Sequence, residues 1–138
     1  MSATVTPRRP ADRRRPARPY PWLPGLMGLE AVTLAVFATL HLTGALRIGA
    51  GNSDGAGMAE ALICIALAAG AAALLRSPER GRRSALAAVA FAIFGFLVGL
   101  TFTISGGDAI DLAYHVAMLP VLVATAVLLA GRRSQPNL

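Results

Sequence analysis

Met58–Leu75 reads MAEALICIALAAGAAALL and runs straight into Arg76 and the segment SPERGRRS at 77–84. As a helix rising ~1.5 Å per residue, this apolar stretch extends about 27 Å, close to the ~30 Å hydrocarbon core of a bilayer. Glu60 is its only charge. Three further stretches share this character, from Leu23 to Leu46, Ala85 to Ile104 and Ala109 to Ala130. In lipid no water satisfies the backbone, so each stretch must make its own hydrogen bonds as a helix. The chain therefore predicts an all-α fold, an integral membrane four-helix bundle with four transmembrane helices.

Orientation follows from arginine. With the N-terminus in the cytoplasm, Arg8, Arg9, Arg13, Arg14, Arg15, Arg18, Arg76, Arg80, Arg82, Arg83, Arg132 and Arg133 fall inside and only Arg47 falls outside. This is the asymmetry that the positive-inside rule requires, and it places both termini in the cytoplasm of a cell membrane. The formal net charge of +6 would suggest nucleic acid in a soluble protein. Here its carriers flank the spans, so the expected partners are the bilayer and its anionic headgroups at the basic arm and loops, with no nucleic acid. Every basic residue is Arg and none is Lys, a usage that resembles a high-GC bacterium and points to a bacterial inner membrane.

Three segments are expected. Residues 1–20 combine Pro7, Pro10, Pro16 and Pro19 with six arginines and read as a disordered cytoplasmic arm. Residues 21–133 form the bundle, and 134–138 a cytoplasmic tail. Arg8 and Arg9 raise the question of a twin-arginine export signal, but Pro10 follows them, and Glu30 and His41 interrupt the apolar region such a signal needs. Tyr20 and Trp22 suit the interface, and Pro21 and Pro24 suit a helix start. A single cysteine, Cys64, excludes an intramolecular disulfide.

The connections read as a Gly-rich outer loop at 49–57, a short cytoplasmic turn at 77–83 holding Pro78 and Gly81, and an outer turn at 105–108. Close helix packing in lipid depends on small residues. Gly95 and Gly99 in the third span, and Ala66, Ala69, Gly70 and Ala73 in the second, supply them. Packing within the bundle is expected of the Gly95–Gly99 pair, with a homo-oligomer or another membrane protein as the alternative partner. Pro120 should kink the fourth span by freeing the carbonyl of Val116.

An ionisable group inside a span is costly and turns toward the bundle interior. Glu30, His41, Glu60, Asp111 and His115 are such groups. Glu30, Thr33, Phe37 and His41 share one face of the first helix, with Glu30 and His41 about 16 Å apart along it. Counted inward from the outer boundaries at ~1.5 Å per residue, His41 is about 8 Å deep, His115 about 9 Å, Thr101 about 5 Å and Glu60 about 3 Å. His41, Glu60 and His115 are therefore expected to approach one another. Structural duties compete with a site: first-turn carboxylates at Glu60 and Asp111 favoured by the helix dipole, a cap at Asp108, and a hydrogen bond from His115 to Glu60 or Thr101. Glu30 lies about 10 Å from the cytoplasmic side with no Arg in its span. It reads as protonated, or as hydrogen-bonded to Thr33 or to a neighbouring helix.

Three functions fit these residues. The first is a non-catalytic bundle with an outward-facing polar pocket for a ligand, lipid or protein partner. The second is a redox or metal protein, with haem b held between His41 and His115, or a divalent metal held by imidazole and the carboxylates of Glu60 and Asp111. The third is a small proton-coupled transporter in which Glu30 carries the proton. Four spans with a glutamate in the first resemble the small multidrug resistance family, and this resemblance implies transport through Glu30. It covers the architecture and Glu30 alone, since that family's motifs around the glutamate and in its third span are absent.

Overall fold

The computed structural model describes residues 20–46 and 54–131. It has four helices, α1 Leu23–Leu42, α2 Asp54–Arg76, α3 Pro78–Gly106 and α4 Ala109–Ala130, each long and apolar enough to cross a membrane. Each helix packs on its neighbours in sequence, and α4 closes against α1 through a lighter contact. One end of the bundle carries the α1–α2 and α3–α4 connections. The α2–α3 turn lies at the other. The arm, Arg47, the loop at 47–53 and the tail lie outside the described residues.

The surface pattern is the reverse of a water-soluble bundle. Leu29, Val32, Ile65, Phe94, Phe102 and Val127 are exposed, while Glu30, His41, Glu60, Asp111, His115 and Thr125 are buried. The buried polar groups are set into an apolar core of large and small side chains, Leu34, Leu67, Ala85, Val89, Ala92 and Leu122 among them.

Several boundaries differ from the sequence expectation, each for a local reason. Helix α1 stops at Leu42 rather than Leu46, because Gly44 takes φ 73° and turns the chain back. Ala45 and Leu46 then donate their N–H groups to the Leu40 carbonyl, and Leu46 is buried. Helix α2 starts at Asp54 inside the expected loop, and Gly57 packs in its first turns against Leu42. Glu60 is therefore no first-turn carboxylate; it lies about 9 Å into α2. Helix α3 absorbs the arginine turn, starting at Pro78 with Ser77 alone as the link. A side chain at Gly81 would strike the backbone of Ala73 and Leu74, so glycine lets the two helices meet there.

Arg82 has a task beyond charge asymmetry. Its Nε donates to the Leu129 carbonyl and its Nη2 to the Ala130 carbonyl at 2.7 Å, covering the C-terminal end of α4. Gly95 and Gly99 both face inside the bundle. A methyl at Gly95 would meet Ile63 of α2, and one at Gly99 would meet the His115 ring of α4.

Candidate metal centre

Four ionisable side chains from three helices converge at the end that carries the α1–α2 and α3–α4 connections. His41 sits in the last turn of α1 and is fully buried. Its Nδ1 lies 2.8 Å from Glu60 Oε2 on α2. Nδ1 of the ring thus faces Glu60 and Nε2 faces α4. There Asp111, also fully buried, places Oδ1 3.9 Å from His41 Nε2.

Asp111 is held from behind. Thr103 of α3 donates to Asp111 Oδ2 at 2.8 Å. His115, one turn further along α4, has Nδ1 3.2 Å from Asp111 Oδ1 and 3.0 Å from the Asp111 carbonyl. The missing side chain of Gly99 leaves room for this ring, and Phe96 packs on it with centroids 5.0 Å apart. Apart from the His115 approach, Asp111 Oδ1 has no hydrogen-bond partner among the described residues.

One ligand atom each from His41, Glu60 and Asp111 lies within 4.8 Å of the others. Ligand atoms about 2.1 Å from a tetrahedral ion lie about 3.4 Å apart, so side-chain shifts of up to about 1.4 Å would bring all three onto one ion. One imidazole nitrogen and two carboxylates suit a borderline divalent cation such as zinc or manganese. His115 and Thr103 fix the orientation of Asp111, as supporting shells do at metal sites. A porphyrin fits less well. Asp111 Oδ1 contacts the nitrogens of both rings, so a carboxylate stands between the imidazoles where an iron would be held.

The convergence of His41, Glu60 and His115 thus runs through Asp111, with no direct bond from His115 to Glu60 or Thr101. Thr101 is exposed and bonds its own helix at the Val98 carbonyl. Thr103 takes the inward place, and the signal for it was present in the sequence. Ala92, Phe96, Gly99 and Thr103 recur at steps of three and four along one face of α3, and Thr101 is off that face. Asp108 occupies the N-cap position of α4, but its side chain makes no cap hydrogen bond.

Glu30 lies apart from this group. It is 2% exposed, and its Oε1 accepts a hydrogen bond from Thr125 of α4 at 2.6 Å. Thr33 bonds the Glu30 carbonyl instead of its carboxyl. Between the two polar regions lie Phe37 and Tyr114, stacked with centroids 3.6 Å apart, and Phe96 beside them. The Tyr114 hydroxyl donates to Thr33 Oγ1 at 3.2 Å.

No protein-family model matches this chain, and neither does any curated protein or solved structure.

Proposed function

We propose that this chain is a small multi-pass membrane protein that binds one divalent cation in the outer half of its bundle, through His41, Glu60 and Asp111. The observation that carries this reading is the approach of three ligand atoms, from three helices, to within 4.8 Å of one another in the interior. Burying two carboxylates side by side is expensive, and a divalent cation offsets their repulsion better than neutral imidazoles do. On this reading the cation is the ligand of the outward-facing polar pocket expected from the sequence. With α1 entering from the cytoplasm, the centre faces the outside, and anionic headgroups lie against the arginines at the opposite face.

Purified in mild detergent, stripped with chelator and titrated with zinc, the protein should take up one zinc ion. Glu60→Gln and His41→Ala should each weaken that binding at least tenfold, while Thr125→Val leaves it unchanged. Zinc uptake by the wild type no greater than by Glu60→Gln would leave a hydrogen-bonded network and no metal site. Orientation has its own test. In a Cys64→Ala background, cysteines at Asn52 and Gly107 should react with an impermeant thiol reagent on intact cells. One at Ser2 should not, and labelling there would reverse the orientation.

A further inference from the structure

Glu30 plays no part in the metal centre, and the surroundings of its carboxyl call for a ligand of a different kind. Its one hydrogen-bond donor is the neutral hydroxyl of Thr125, and Oε2 has no hydrogen-bond partner among the described residues. The elements packed on α1 supply no counter-ion. On α4 the neighbours are Thr125, which donates to the carboxyl, and Tyr114, whose hydroxyl bonds Thr33; α2 carries Asp54, Glu60, Cys64 and Arg76, and among the described residues no ion pair joins one of them to Glu30. An ionised carboxylate there would be a buried charge with one neutral donor, which is the arrangement proteins avoid most strongly. A cation with several oxygen ligands is no better served, because the sole neighbouring side-chain oxygen bonded to the carboxyl is that of Thr125.

The placement of Glu30 gives the group a use. It sits on α1 where α4 closes against it, the lightest of the four helix contacts in the bundle. A small separation of these helices would expose Oε2 without disturbing the α1–α2 or α2–α3 packing. Toward the metal centre the way is closed by the stacked rings of Phe37 and Tyr114, with Phe96 against them. The carboxyl is thus screened from His41 and Asp111 and lies in the half of the bundle nearer the arginine turn.

We infer that Glu30 is a proton-binding site, loaded and unloaded through the α1–α4 seam and separated by the aromatic layer from the cation centre. Loading adds one proton to Oε2 while Oε1 keeps the Thr125 hydrogen bond, and unloading returns that proton to water that enters as the seam opens. The proton needs no cation at the other centre, so this inference stands or falls separately from the metal reading.

Infrared difference spectroscopy of the full chain in lipid nanodiscs, titrated with pH, reads the carbonyl stretch of a protonated carboxylic acid directly. From neutral pH upward the wild type should show one such band, which disappears on alkaline titration and shifts in heavy water. Glu30→Gln should lack it, while Glu60→Gln keeps it. Thr125→Val should keep the band but move it to higher frequency, since the carbonyl loses its hydrogen bond. All three variants nearly preserve side-chain volume, and circular dichroism checks that the helices remain. The inference is overturned by a band that survives at neutral pH in Glu30→Gln, by no acid band in the wild type at neutral pH, or by a band that sodium removes at constant pH. Zinc should leave the band unchanged, so a protein that binds no zinc but shows the Glu30 band refutes only the metal centre.

Discussion

The two polar regions of this bundle handle buried charge in opposite ways. At one end His41, Glu60, Asp111 and His115 crowd together, and every one of them has an ionisable neighbour within 4 Å. In the other half Glu30 has a threonine. The first region is arranged to hold charge and the second to hold a neutral carboxyl, although the same residue type supplies both. Charge is tolerable inside an apolar bundle where opposite charges meet, and a lone acid there carries its proton instead.

If that contrast is right, removing charge should hurt one region far more than the other. Asp111→Asn breaks the contacts to His41 and His115 and leaves an imidazole buried without its acid. It should cost about 3–5 kcal/mol, the range found on breaking a buried pair. Glu30→Gln keeps an acceptor for Thr125 and should change stability by less than about 1 kcal/mol. Thermal unfolding in detergent compares the two directly. Equal losses would mean that Glu30 is ionised and paired after all.

A steric change sharpens the same comparison. Gly99→Ala places a methyl 2.6 Å from His115 Nε2, so the ring must move and Asp111 loses part of its support. Overpacking of this kind costs about 1–3 kcal/mol, and disturbing a supporting ligand weakens metal binding by roughly 10–100-fold. Zinc titration of Gly99→Ala measures it. An unchanged affinity would show that His115 does not position Asp111.

The smallest effect belongs to the hydrogen bond at Glu30. Interhelical hydrogen bonds in membranes average about 0.6 kcal/mol, so Thr125→Val should lower stability by about that amount while leaving zinc binding intact. A loss of several kcal/mol would show that Thr125 closes α4 onto α1 in a way the single bond does not convey.

The helices were legible because length and apolarity alone decide them, and α4 has the bounds Ala109–Ala130 that the sequence suggests. Their ends were less so. Asp54–Gly57 has the composition of a loop yet is helical, since Gly57 packs under Leu42 and that tertiary contact overrides local preference. The candidate site was readable in its members but not in its wiring. Depth along each helix brings His41 and His115 to one level, but only the closing of α4 on α1 makes Asp111 the link between them. Thr125 escaped notice because a threonine seven residues from Met118 on an apolar helix has no distinguishing local signal. It gains importance from Glu30, which is 95 residues away in the chain.

X-ray absorption at the zinc edge of the zinc-loaded protein reads the atoms around the bound cation directly. One zinc per chain is expected in a shell of nitrogen and oxygen at about 2.0–2.2 Å, with the outer-shell pattern of a single imidazole that disappears in His41→Ala. A sulfur neighbour at about 2.3 Å, which would implicate Cys64, or a shell of oxygen alone that is the same in His41→Ala, would contradict it.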